Sequence, residues 1–198
     1  MAAKLPPLDI KTFCLKGVKV DILYLHGHMG TPYTLKPLAL MLHEKGYGAQ
    51  VPLLPGHGTT PQDLNQTSAS MLIEAAQKPF LNLTIERPIF VLGLSMGALL
   101  ATILAAKFPN KVSALVLLAP AFCLRIIPRT AVRMALLGFH RIMPLFPKFG
   151  AKSDIRNKEA RRLNPTYNQI PIKSLVAFER LRKAAIKDLN QVFCPIFV

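Results

Sequence analysis

The sequence predicts an α/β fold built on a mostly parallel, doubly wound sheet, and two observations carry that prediction. Short apolar runs of strand length alternate with segments of helical spacing from Val18 to Ala119, the pattern that lays helices across both faces of a parallel sheet. Val112 to Ala119, VSALVLLA, is apolar almost throughout rather than alternating, as a strand covered on both faces tends to be. The 198 residues are 51% hydrophobic, enough for one domain with a substantial core.

Lys11 to Lys16 and Val18 to Leu25 read as two short strands parted by Gly17, the second ending in Ile22-Leu23-Tyr24-Leu25. His26-Gly27-His28-Met29-Gly30 follows. A strand that empties into a glycine-rich turn presents backbone N–H groups at the carboxyl edge of the sheet, where open α/β folds bind ligands. Thr34 to Lys45 has helical spacing, with Leu35, Leu38 and Leu42 on one side and Pro37 tolerated in the first turn, and it stops at Gly46. Ala49 to Leu54 is the next strand. Pro55-Gly56-His57-Gly58 and a polar loop to about Thr67 lead into a helix over Ser68 to Leu81.

The centre of the chain is Ile89 to Ala105, IFVLGLSMGALLATILA. An apolar run reaches Gly93-Leu94-Ser95-Met96-Gly97, and a small-residue apolar helix follows at once, ending near Phe108-Pro109-Asn110. A bare G-x-S-x-G string arises by chance in about 7% of chains this long. The strand before it and the helix after it are what mark a nucleophile elbow.

The character changes at Pro120. From there to about Asn190 no strand is predicted. Two basic amphipathic helices, Pro128 to Leu145 and Lys173 to Leu189, flank a polar stretch around Lys152 to Asn168. Val192 to Val198, VFCPIFV, returns to strand character, with Pro195 suited to an edge or a strand start. The predicted organisation is a core over 1–120, a helical cap over 121–190 and the start of a further core strand over 191–198.

Lys and Arg number 25 against 10 Asp and Glu, a net charge of +15. Residues 1–120 hold ten basic and six acidic side chains, residues 121–198 fifteen and four. A basic cap suits an anionic membrane surface or anionic substrates. No RNA-binding signature accompanies the charge, and nucleic acid is not the predicted partner. No apolar run reaches membrane-span length and Met-Ala-Ala-Lys-Leu-Pro-Pro lacks the apolar stretch of a signal peptide, which predicts a soluble, cytoplasmic protein. Cys14, Cys123 and Cys194 have no metal-ligand spacing and read as reduced, structural thiols. Neither a metal nor an organic cofactor is implied.

Serine is a poor nucleophile until its proton is removed and its attack geometry fixed. At an elbow the tight turn lifts the hydroxyl of Ser95 above the sheet, and Gly93 and Gly97 are needed because side chains there would collide with neighbouring strand and helix. The tetrahedral intermediate needs donors aimed where negative charge develops. Two are available by position, the backbone N–H of Met96 just after the nucleophile and that of His28 in the turn after the first long strand.

His26-Gly27-His28-Met29-Gly30, Pro55-Gly56-His57-Gly58 and Gly93-Leu94-Ser95-Met96-Gly97 fall in the order and spacing of the α/β-hydrolase family. The chain most resembles its carboxylesterase and monoacylglycerol-lipase branch, with an HGxxG turn, a GHG loop, a GxSxG elbow and a helical cap. The resemblance implies an ester or acylglycerol substrate, Ser95 as nucleophile, and His28 and Met96 as oxyanion donors.

One part of the family pattern is missing. The acid and the histidine should follow the serine in that order, from loops after the last strands. No histidine follows His140, and Pro120, Ala121 and Phe122, after the strand that follows the elbow, cannot serve as the acid. His26 and His57 read as loop braces, His43 as a surface residue and His140 as a cap residue; Asp154, Glu159, Glu179 and Asp188 read as solvated helix faces. The expectation is a serine hydrolase whose acid and histidine lie beyond residue 198, with the last strands and helices missing and little turnover from these residues alone. A thioesterase or amidase of the same fold, or a shortened binding protein without catalysis, are the alternatives.

Overall fold

The computed structural model describes residues 10–123, 126–147 and 157–198. The chain begins with β1 (Phe13–Leu15), β2 (Asp21–Leu25), α1 (Lys36–His43) and β3 (Gly48–Val51). It continues through α2 (Pro61–Gln66), α3 (Ala69–Leu81), β4 (Ile89–Leu94), α4 (Met96–Lys107) and β5 (Ala114–Leu118). After β5 come α5 (Ile126–Leu136), β6 (Leu145–Pro147), α6 (Lys158–Leu163), β7 (Gln169–Pro171), α7 (Ser174–Asp188) and β8 (Ile196–Phe197).

Six strands form one sheet in the order β1-β3-β2-β4-β5-β8, parallel except for β1. The alternation along β2 shows why it is covered on both faces. Ile22 and Tyr24 pack with Leu35 and Ala39 on the α1 side, while Leu23 and Leu25 join the cluster that contains α3, α4 and α7. From β2 the chain winds one way to β3, and from β4 the other way to β5. Strand order therefore reverses between β2 and β4, and in open α/β sheets that crevice, at the carboxyl ends of the strands, is where ligands bind.

Helix α4 is buried on every side from Met96 to Ala106. Its apolar residues occupy all faces, as a central helix requires, and Leu99, Leu100 and Leu104 are almost completely enclosed. Each such side chain contributes roughly 1.5 to 3 kcal/mol by leaving water. The Thr102 hydroxyl avoids an unpaired burial by donating to Ala98 O at 2.9 Å. Pro195 lies just before β8, where its missing N–H costs nothing, and its carbonyl accepts from Leu115 N at 2.9 Å.

Several sequence expectations change here. The loop after Gly58 contains α2, started by a capping box in which Thr60 Oγ1 accepts from Asp63 N and Asp63 accepts from Thr60 N. The helix expected over Pro128 to Leu145 stops at Leu136, because Gly138 turns the chain at φ 88. Residues 121–190 do contain strands, β6 and β7, paired antiparallel with Leu145 opposite Pro171. Glu179 is not on a solvated face: it is buried, and Arg182 donates to both its oxygens at 2.7 Å. Those hydrogen bonds hold its carboxyl below the usual carboxylate range. Glu159 is exposed, and Asp154 lies outside the described residues.

Candidate active site

β4 runs directly into α4, and the single residue between them is Ser95, at φ 54 and ψ −108. A non-glycine residue there carries backbone strain of about 1 to 3 kcal/mol, which persists only when the surroundings enforce it. They do so from both sides. Ser95 N–H donates to Leu118 O at 2.9 Å, and Ser95 O accepts from Ala98 N at 3.1 Å. A methyl group on Gly93 would run into the backbone of Gly97 and Ala98, and one on Gly97 into the carbonyl of Leu25. The elbow is thus wedged against the end of β2.

The turn that follows β2 lies beside it. Gly30 N–H donates to Gly27 O at 3.0 Å, closing a turn whose third residue, Met29, has φ 59. A β-carbon on Gly27 would come within 3.4 Å of Ser95 Cβ and 4.0 Å of its Oγ, so hydroxyl and turn are neighbours. Met96 opens α4, where the first N–H groups of a helix have no intrahelical acceptor. The three residues singled out in the sequence are therefore placed at one sheet edge: Ser95 at the elbow, Met96 at the helix start and His28 in the turn.

Three histidines crowd this edge. His26 is buried, its Nε2 accepts from Leu54 N at 3.0 Å, and its Nδ1–H donates to Gly27 O at 3.0 Å. Both ring nitrogens are spoken for in the neutral form. Burial first, and the neighbouring His57 ring second, lower its pKa to about 3. His57 donates from Nδ1 to Pro55 O at 2.9 Å, and burial lowers its pKa also. Its Nε2 is buried without a partner among the described residues. The two rings meet edge to face at 4.9 Å, consistent with the bracing role read from sequence. His28 Nε2 lies 3.2 Å from Ser174 Oγ, and its ring is 5.6 Å from that of Phe178. His43 and His140 bond to the carbonyls of Tyr47 and Ala135.

Residues that no motif marks tie the 121–190 segment to this edge. Tyr167 OH donates to Gly56 O at 2.6 Å and accepts from Thr59 N at 3.2 Å. Asn65 Nδ2 donates to Pro144 O at 2.8 Å, and Asn65 Oδ1 accepts from Ser174 N at 3.3 Å. These partners are 79 to 111 positions apart, so no local pattern could reveal them. Among the described residues no group of three or more His, Cys, Asp or Glu side chains is placed to hold a metal ion, and no helix is long and apolar enough to cross a membrane.

A mostly parallel sheet with a strained serine between its central strand and a buried helix defines an α/β-hydrolase. The family model described as serine aminopeptidase S33 matches residues 17–189, and the chain belongs to that family. It is 28% identical over 200 residues to the thermostable monoacylglycerol lipase of Bacillus sp. (strain H-257), spanning 100% of this chain and 76% of that one. Solved structures agree in fold. One from the metagenome-derived lipolytic enzymes LipS and LipT superposes with a TM-score of 0.82 at 23% identity, covering 98% of this chain and 76% of that one. The monoacylglycerol lipase of Paleococcus ferrophilus gives 0.73 at 19%, covering 94% and 76%.

Proposed function

We propose that this chain is a serine hydrolase of carboxylic esters, of carboxylesterase or monoacylglycerol-lipase type, with Ser95 as nucleophile and the N–H groups of His28 and Met96 as oxyanion donors. The observation that carries the reading is the strained Ser95 backbone beside the Gly27–Gly30 turn. The Bacillus relative's activity on monoacylglycerols supports an acylglycerol or related ester as substrate.

In this reading Ser95 Oγ attacks the ester carbonyl as a base removes its proton. The carbonyl oxygen becomes an oxyanion between the two N–H groups, a placement in which one donor is worth about 3 to 4 kcal/mol. The alcohol leaves with a proton, and water resolves the acyl-enzyme. His26 does not serve as the base, because both its nitrogens hold backbone groups and it stays neutral. His57, His43 and His140 each hold a backbone carbonyl through Nδ1, and His28 Nε2 faces Ser174. We assign the acid and base of the triad to none of these histidines.

We further propose that the cap segment over 121–190 rests on anionic lipid. Leu137 and Ile142 are more than four-fifths exposed, and Arg133 and Arg141 are exposed nearby in sequence. Apolar side chains among arginines suit a lipid surface that bears negative charge. The three cysteines are free thiols, which suits a reducing, cytoplasmic compartment.

A panel of acyl esters, acyl thioesters and amino-acyl amides, with Ser95→Ala as control, tests the reaction. Ester turnover lost in Ser95→Ala supports the proposal; a preference for thioesters or amides replaces ester hydrolysis with that chemistry; a Ser95 that no fluorophosphonate labels favours a binding protein.

A further inference from the structure

We infer that Ser174 is a positioning residue for the oxyanion turn: it fixes the His28 imidazole and, through it, the direction of the His28 N–H. This rests on the reading of Ser95 and His28 given above.

Ser174 is the first residue of α7 and is buried, as is Asn65 beside it. Its Oγ donates to Pro171 O at 2.6 Å. A hydroxyl carries one proton, so the 3.2 Å contact with His28 Nε2 has the imidazole as donor and Ser174 as acceptor. His28 is thereby fixed with its hydrogen on Nε2. The Ser174 N–H is satisfied by Asn65 Oδ1, and Asn65 Nδ2 by Pro144 O. Pro144 immediately precedes β6, and Pro171 is the last residue of β7, opposite Leu145. A single, partly buried polar chain therefore joins the cap strands, α2, α7 and the oxyanion turn, and such networks rigidify what they connect when each member is paired. Phe178, one turn along α7 from Ser174, closes on the ring at 5.6 Å, and His57 stands at 6.1 Å.

The turn needs such an anchor. His28 is its second residue and Met29 its third, and the positive φ of Met29 is a conformation that a side chain of that size rarely adopts. Rotation of the peptide before His28 would swing its N–H away from the place where the oxyanion forms. Oxyanion stabilisation requires donors within about 2.7 to 3.1 Å of that place. A displacement of about 1 Å in such a site can cost on the order of 100-fold in rate.

The test is the phosphonylation of the 198-residue chain by an alkyl fluorophosphonate, followed to saturation so that inactivation rate and reagent affinity separate. Ser174→Ala should slow the inactivation step about tenfold, less than the roughly 100-fold lost with a whole donor, while affinity stays within about twofold. In a His28→Ala background the same substitution should have no further effect. In the unsubstituted chain, long-range 1H–15N NMR should show the His28 proton on Nε2, a readout that holds even if the variant fails to fold. An unchanged inactivation rate in Ser174→Ala overturns the inference, as does an equal loss in the His28→Ala background, or an unprotonated Nε2. Labelling that survives in Ser95→Ala has a different meaning: the parent reading of Ser95 then fails.

Discussion

His26 Nε2 accepts a 3.0 Å hydrogen bond from the backbone N–H of Leu54, joining the end of β2 to the loop that carries His57. The bond exists only while His26 is neutral, because a protonated ring has no acceptor there. With a folded pKa of about 3 against an ordinary 6.5, the unfolded chain binds the proton first. Stability is therefore full above pH 6.5 and falls progressively from there toward pH 3, by up to about 1.4 kcal/mol per pH unit from this group. His57 acts in the same direction. Urea unfolding between pH 7.5 and 4 should show the decline. His26→Ala should reduce the slope while costing about 2 kcal/mol at neutral pH, since Leu54 N–H is left buried and unpaired.

Ser95 holds a left-handed backbone conformation at φ 54. Ser95→Gly should raise stability by about 1 kcal/mol by relieving that strain and abolish ester turnover. Ser95→Ala should abolish turnover without the gain. Thermal unfolding of the two variants side by side separates strain from chemistry.

Gly97 faces the carbonyl of Leu25 so closely that a β-carbon collides with it. Gly97→Ala should cost about 3 kcal/mol by pushing α4 off the end of β2, far more than alanine at Gly138, where a β-carbon would meet nothing within 4 Å. Gly138→Ala is not neutral, because φ 88 disfavours a side chain, yet it should cost only about 1 kcal/mol. Chemical denaturation of both variants gives the comparison.

The exposed Leu137 and Ile142 should carry lipid binding. Vesicles containing phosphatidylserine should bind the chain, phosphatidylcholine vesicles much less, and higher salt should weaken the attachment as the arginine attraction is screened. Leu137→Asp combined with Ile142→Asp should reduce binding at least tenfold in a sedimentation assay, and unchanged binding would remove the cap from the interface.

What was legible in the sequence was local. Gly93, Ser95 and Gly97 announce an elbow because the turn's steric demands fall within five residues, and the apolar run of β5 announces a buried strand in the same way. Residues 121–190 were less legible. β6 and β7 are three residues each and exist by pairing Leu145 with Pro171 across 26 positions, too short for any alternation to register. Glu179 read as a surface charge because its burial is set by α7 packing beside α5 and Phe122, where Glu179 and Arg182 stand with Val132 and Leu136; Arg182, three positions on, was the signal that a buried partner was at hand. The contact of Ser174 with His28 spans 146 positions and had no signal at all.

Ser95 acts as the nucleophile beside a working oxyanion site in this proposal. Treating the chain with a fluorophosphonate and mapping the modified peptide by mass spectrometry tests it directly. One adduct is expected, on Ser95, formed faster than on a free serine peptide and absent from Ser95→Ala. No adduct, or an adduct on a different residue, would contradict it.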